Sequence, residues 1–408
     1  MKRTLGHIHK LDKRKDTSLY TVLIAVKIIV GIIITKVLSV VVGPLGLALV
    51  GNFQDFVTAF QNISIMGFYK GVSNVVSHVK DSILELSKVV STVYYIGFFV
   101  TFLVSFFCYF NAESINKLIF PRYNSYAYVV RVFALVLPFY AVNMFSFAIM
   151  WGFSKRNSFM VINIIGQVLI VCIALLLIFI NRVEGALISV AISESIIFLI
   201  TLVAIVNRRS MVPLVKVENF DFGVLKKLWS FSLIALFAFV FAPLISITIR
   251  MYIIETVSYR DAGFWEAIRR VSNGYMAVIG PIVAMWALSG FPEIQSFKKT
   301  RKRIIQSYRK IIPILVLILL VVFFTKSLIV KLIFTDEFEP IKNLFKWQLM
   351  GDFVKMLSAV IVYQFLAKRM FWYYVVIEAF FIFIWYTTSV YFIDMYHSAQ
   401  GAVIAHFV

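Results

Sequence analysis

The chain is poor in what soluble domains and enzymes need. It has two cysteines in 408 residues, Cys108 and Cys172, each inside an apolar run. Two small buried hydrophobes account for them, which argues against a disulfide framework or a thiolate metal site. Charged residues make up 15% of the chain, against about 25% in soluble domains. Acids are scarcer still, with 20 Asp and Glu facing 40 Lys and Arg. The patterns GxGxxG, GxxxxGK[ST] and HExxH do not occur, so the sequence signals for dinucleotide, P-loop nucleotide and zinc-peptidase chemistry are missing. The five histidines, His7, His9, His78, His397 and His406, have no helical spacing to a second strong metal ligand. The sequence therefore predicts no cofactor, no metal and no enzyme.

Apolar residues fill the space. They amount to 61% of the chain, with a mean hydropathy of +0.90, which describes an integral membrane protein. A helix needs about 20 apolar residues to cross the hydrocarbon core. Runs of that kind fall at 18–42, 45–67, 84–110, 125–153, 158–181, 185–207, 226–254, 262–290, 304–330, 341–367 and 371–393. A further run opens at Gly401 and reaches only Val408, too short to span, so eleven full spans and a C-terminal stub are expected. The first run follows Met1-Lys2-Arg3 and Lys13-Arg14-Lys15. It is too long for a signal-peptide core and reads as a retained span. The connecting segments are short and leave no room for a soluble catalytic domain.

With the N-terminus placed in the cytoplasm, Lys and Arg in the cytoplasmic segments far outnumber those opposite, as the positive-inside rule requires. Lys298, Lys299, Arg301, Lys302, Arg303, Arg309 and Lys310 form the largest cytoplasmic group. The net charge of +20 is thus explained by lipid and topology rather than by nucleic acid. The two halves repeat: Lys117-Leu118-Ile119-Phe120 returns as Lys331-Leu332-Ile333-Phe334, and Gly46 has its counterpart in Gly263 at nearly the same offset. This predicts an all-α polytopic protein of two pseudo-symmetric six-helix lobes around a central cavity. A basic N-terminal tail (1–17) precedes an N-lobe (18–208), a cytoplasmic linker (209–225) and a C-lobe (226–408). Transporters with such repeats commonly place substrate at the repeat interface.

Eight cations interrupt the apolar runs: Lys27, Lys36, Arg131, Arg250, Arg269, Arg270, Lys346 and Lys355. A charge at the bilayer centre costs roughly 2.5–3.5 kcal/mol on insertion scales and usually faces a bundle interior or wet cavity. Arg131, Arg250 and Lys346 lie near span ends, where snorkelling is the competing reading; Lys36 also lies near an end. Lys27, Arg269, Arg270 and Lys355 are deeper. Lys27 and Lys36 share one cavity only if their helix bends, for instance at Gly31. The acids Asp55, Glu194, Glu266, Asp352 and Glu378 are fewer than the cations. Glu266 precedes Arg269 and Arg270 at same-face spacing, as Asp352 precedes Lys355, so these acids either neutralise the cations or bind a coupling ion. Asp55 and Glu378 share that choice of roles. Positive charge left over would suit an anionic headgroup, and arginine suits phosphate through its fork. Trp265, Trp286, Trp347 and Trp372 either anchor at the interface or stack on sugars.

Lys27 through Gly51, with Gly43-Pro44-Leu45-Gly46 and then Asn52-Phe53, resembles the opening two helices of the Wzx-type polysaccharide flippases. Ala262-Gly263-Phe264-Trp265-Glu266, followed by Tyr275, resembles their eighth helix. Trp347-Gln348-Leu349-Met350-Gly351-Asp352-Phe353-Val354-Lys355, followed by Ala367-Lys368, resembles their tenth. The resemblance implies the fold of the multidrug/oligosaccharidyl-lipid/polysaccharide (MOP) superfamily. It implies a flippase for undecaprenyl-pyrophosphate-linked O-antigen or related repeats in the bacterial inner membrane, with membrane lipids and polysaccharide polymerase or chain-length machinery as partners. Lys27, Lys36, Arg131, Arg250 and Lys355 fall where that family places basic residues; Arg269 and Arg270 rest on the local argument alone. Family members complete a twelfth helix and a basic tail beyond the point where this chain stops. Two rivals remain at this stage. A drug or cation antiporter on the same fold would want an acidic or apolar cavity. A membrane polymerase would want a large loop with catalytic carboxylates.

Overall fold

The computed structural model describes residues 2–153, 156–206, 215–288, 296–368 and 370–408. Thirteen α-helices follow one another among these residues: α1 (Lys2–Val41), α2 (Gly43–Ser64), α3 (Tyr69–Val79), α4 (Ile83–Phe110), α5 (Ala112–Ile119), α6 (Ala127–Gly152), α7 (Arg156–Val206), α8 (Phe222–Thr256), α9 (Tyr259–Leu288), α10 (Phe297–Ile333), α11 (Phe345–Ala367), α12 (Phe371–Tyr396) and α13 (Ala399–Phe407). Helix is forced here: in hydrocarbon every backbone N–H and C=O must find a partner within its own segment. Each of the eleven expected runs falls on a helix, with α7 supplying two. The short helices α3 and α5 join spans and were not expected. The side chains of the basic tail 1–17, those of Trp286, and the linker before residue 215 lie outside the described residues.

Helix α7 breaks at Asn181 and Arg182, where Arg182 adopts a left-handed φ of 46°. The chain doubles back so tightly that a Cβ on Gly185 would lie 1.8 Å from the Leu177 carbonyl oxygen. The turn between α12 and α13 repeats the device. His397 is left-handed at φ 44°, and a Cβ on Gly401 would lie 2.3 Å from the Phe392 carbonyl oxygen. In both halves the turn thus pairs a left-handed non-glycine residue with a glycine that packs on the carbonyl five residues before the left-handed one. The internal duplication extends to backbone geometry.

Among the described residues, seven helical stretches are long and apolar enough to cross a membrane, one of them the whole of Asn157–Val203. Polar residues interrupt α2, α9 and α11: Asn52, Gln54 and Asp55 on α2; Arg260, Asp261, Glu266, Arg269 and Arg270 on α9; Lys346, Asp352 and Lys355 on α11. Such residues need protein around them rather than lipid.

The chain forms two compact units. One comprises residues 1–34 and 57–240, the other 35–56 and 241–408, so α1, α2 and α8 each pass from one unit to the other. In the first unit, α6 and α7 share a core of Phe147, Met150, Ile162, Ile170 and Ile197. Buried polar groups there are locally matched: Thr201 donates to Asn143 at 2.6 Å, and Ser195 donates to the Val136 carbonyl at 2.9 Å. In the second unit, Phe264 on α9 meets Phe338 edge-on, and Phe338 packs on Phe334 at the end of α10.

Close approach of α2 and α9 in the second unit depends on Gly263. A Cβ there would lie 2.0 Å from the carbonyl oxygen of Pro44, which is backbone and cannot rotate away. Gly263→Ala should therefore part the two helices and lower stability by about 1–3 kcal/mol, the usual cost of overpacking. Thermal melting of the purified protein checks this; an unchanged melting temperature would show that the helices tolerate the separation.

Candidate functional site

The polar faces of α2, α8 and α9 meet at Arg250, which is 0% exposed. Its Nη1 donates to Oδ1 of Asn52 at 2.8 Å. Its Nη2 donates to Oδ2 of Asp55 at 2.8 Å and to Oε2 of Glu266 at 2.7 Å. Arg269 joins from the next turn of α9, with Nη1 3.0 Å from Asp55 Oδ2 and 3.6 Å from Glu266 Oε2. Arg270 bonds the other oxygen of Glu266 at 2.9 Å and Gln54 at 2.9 Å. Trp265 lies under the guanidinia of Arg250 and Arg269, whose carbons sit 5.3 and 4.8 Å from its ring. Three guanidinia therefore share two carboxylates, and the ionised cluster keeps one net positive charge.

Taking ions out of water costs several kcal/mol each even after relaxation, and only tight, multiply bonded geometry repays it. Arg250 has that geometry. Arg269 and Arg270 keep side-chain exposures of 21% and 14%, so the surplus charge is offered on the Arg269–Arg270 side of the cluster. The helix pattern produces this order. Glu266 lies three and four residues before the two arginines, on the same face, and α2 brings Asn52, Gln54 and Asp55 against that face.

A second polar node lies between α9, α11 and α13. Asp352 is 0% exposed and accepts hydrogen bonds from Ser272 Oγ at 2.6 Å, from the Tyr275 hydroxyl, and from Gln348 Nε2 at 3.3 Å. His406 Nε2 approaches it to 3.1 Å.

The structure sorts the expected site residues. Arg250, Arg269, Arg270, Asp55 and Glu266 come together, with Arg250 wholly buried instead of snorkelling from a span end. The pairing of Glu266 with Arg269 and Arg270 is present. The pairing of Asp352 with Lys355 is not: Asp352 is bound by Ser272, Tyr275, Gln348 and His406, and Lys355 lies within electrostatic reach of Glu378. Lys36 donates to the Phe334 carbonyl at 3.1 Å, and Ser39 donates to that of Ile333. Lys36 thus completes the C-terminus of α10, a position that favours a cation. Helix α1 continues through Gly31, and Lys27 belongs to the other unit. There Lys27 is exposed, yet it lies on the stripe of α1 marked by buried Leu23 and Val30, within electrostatic reach of Glu194. Arg131 pairs with Glu113 at 3.1 Å on an exposed surface. Lys346 covers the ring of Trp347 at 5.0 Å. Asn52 and Tyr275 entered only through the family resemblance, and Gln54, Ser272 and His406 were given no site role. Neutral polar residues in an apolar run carry little signal, and His406 stands in the segment read as a stub.

No group of three or more His, Cys, Asp or Glu side chains is arranged to hold a metal ion among the described residues.

Residues 53–343 match the family described as polysaccharide biosynthesis protein. The lipid III flippases of Escherichia coli (strain K12) and Shigella flexneri are each 25% identical to the chain over 354 residues, covering 86% of it and 85% of the relative. Among solved structures, a multidrug resistance MATE family transporter of the MOP superfamily in its inward-facing conformation superposes with a TM-score of 0.78 at 12% identity, covering 93% of this chain and 90% of that one. The MATE multidrug transporter DinF-BH in complex with R6G gives 0.67 at 15% identity, covering 96% and 91%. The relatives are flippases and transporters rather than enzymes. The chain belongs to the polysaccharide biosynthesis protein family and carries the all-helical, multi-pass fold of the MOP-superfamily transporters.

Proposed function

We propose that the protein is a flippase for a lipid-linked oligosaccharide, moving an undecaprenyl-pyrophosphate-linked repeat of the O-antigen kind from the cytoplasmic to the periplasmic leaflet of a bacterial inner membrane. The observation that carries this reading is the charge surplus at the α9 cluster, where three guanidinia face two carboxylates inside a membrane protein of this family. A pyrophosphate supplies the missing negative charge, and the planar fork of arginine matches phosphate oxygens. Arg269 and Arg270 are the cluster's accessible donors. Lys27 and Lys355, both exposed on otherwise protein-facing stripes, are the further cations that would meet the headgroup in the course of its passage. The sugars cross in water while the prenyl chain stays in lipid. The loop distribution of Lys and Arg supports a cytoplasmic N-terminus, and display in the outer leaflet would hand the repeat to a polymerase. The same charge surplus argues against the drug-antiporter alternative, since a cationic drug would meet a cationic site.

Complementation tests this. In a strain lacking its own repeat-unit flippase, the chain should restore surface polysaccharide, and Lys27→Gln together with Lys355→Gln should lower display about tenfold or more, the equivalent of one charge-assisted bond. Labelled precursor stranded as single repeats on the inner leaflet is the expected defect. Single repeats displayed outside would point to a polymerase instead, and a null strain left uncomplemented by the parent chain would sink the reading for this class of substrate.

A further inference from the structure

Asp352 and His406 form a carboxylate–imidazole contact, and the flippase reading makes no use of it. The carboxylate is inaccessible, whereas the imidazole keeps 18% side-chain exposure, so protons can reach the pair from the histidine side. The groups facing His406 are few. Helix α11 contributes Asp352, and α9 contributes Tyr275, bound to the same carboxylate. Helix α12 contributes the ring of Trp385, 6.2 Å from the imidazole. At the far end of α13, Asp261 of α9 accepts from the Ala399 N–H at 3.2 Å. On α12, one turn apart, Trp385 Nε1 and Ser389 Oγ are buried without a hydrogen-bond partner.

We infer that Asp352 and His406 are a proton-exchanging pair whose protonation state sets how firmly α13 is held against α9 and α11. With the proton on His406, the pair is an imidazolium–carboxylate contact, and α13 is tied to α11 by a charge-assisted bond. When that proton passes to water, Asp352 keeps its three hydroxyl and amide donors, and the tie to α13 loses its ion-pair attraction, leaving a hydrogen bond between the neutral imidazole and the carboxylate. Helix α13 is the element that such a change would release. Apart from the His406 contact and the Ala399 N–H bonded to Asp261, it is held by the apolar packing of Ala402, Val403 and Ile404.

The test measures α13 directly and needs no substrate, so it stands apart from the flippase reading. Val403→Cys is placed in a chain whose Cys108 and Cys172 are replaced by Ala, with and without His406→Phe. Each protein is reconstituted in nanodiscs and labelled with a maleimide at pH 5.5 and 8.5. Comparing the two proteins at one pH cancels the ionisation of the thiol itself. At pH 5.5 the His406→Phe chain should label about tenfold faster, the equivalent of one hydrogen bond to a charged group, and at pH 8.5 the ratio should be smaller, because the parent then keeps the hydrogen bond without the ion pair. A second variant, Asp352→Asn, keeps the side-chain shape and should behave like His406→Phe. Equal rates at pH 5.5, or a ratio that does not change with pH, would overturn the inference. So would an Asp352→Asn chain that still shows the pH-dependent protection. Melting curves of all variants, recorded alongside, show that the compared chains are folded.

Discussion

Replacing Arg250 with Met should leave little folded protein in the membrane. The side chain is fully buried and bridges α8 to Asn52 and Asp55 of α2 and to Glu266 of α9. Its removal strands two buried carboxylates on the remaining arginines, and breaking such a pair costs about 3–5 kcal/mol, a large part of an ordinary protein's stability of about 5–15 kcal/mol. Arg250→Lys should recover only part of the loss, because one ammonium cannot fork toward acceptors on two helices. Neutralising the partners as well, in Arg250→Met/Asp55→Asn/Glu266→Gln, should restore much of the melting temperature, since no uncompensated charge is left behind. Thermal melting of purified protein in detergent, with the yield from membranes, gives the comparison. A single Arg250→Met variant melting within a degree or two of the parent would show that the ion cluster holds nothing together.

Arg250 also shows how far the sequence could be read. Its position near the end of an apolar run is compatible with snorkelling, and nothing local says otherwise. Its partners lie on α2 and α9, nearly 200 residues away in the case of Asp55, and no spacing rule connects them. Glu266 with Arg269 and Arg270 was legible, because both ends of each pair lie on one helix face. The same rule misled for Asp352 and Lys355. Helical spacing permits that contact, but Ser272, Tyr275, Gln348 and His406 occupy the carboxylate first. The helices themselves were readable from hydropathy, since lipid imposes the 20-residue run. So was the duplication, through Lys117–Phe120 and Lys331–Phe334, and the left-handed turns at Arg182 and His397 carry it into the backbone. What hydropathy concealed was the sorting of the spans. The two polar nodes draw their side chains from α2, α8 and α9 and from α9, α11 and α13. Polar residues lower a run's hydropathy for the same reason that they need protein partners.

Neutralising the exposed pair of the cluster should separate transport from folding. In Arg269→Gln/Arg270→Gln, Asp55 and Glu266 keep their bonds to the fully buried Arg250, so melting should fall far less than in Arg250→Met. The charge balance, however, moves from one positive to one negative, and a phosphate arriving there meets repulsion instead of two forks. Two charge-assisted bonds at about 1.5 kcal/mol or more apiece correspond to a loss in flipping of about 100-fold. The double Arg→Lys variant keeps the charge without the fork and should fall between the two. Adding Asp55→Asn to the double Gln variant returns the cluster to neutrality without restoring a donor to phosphate. Flipping should therefore stay low if bidentate recognition matters, and should recover if only net charge does. Assays of lipid-linked precursor in reconstituted vesicles, read beside melting curves, distinguish these cases. Near-normal flipping by Arg269→Gln/Arg270→Gln would remove the cluster from the substrate's path and leave it as a brace between α2, α8 and α9.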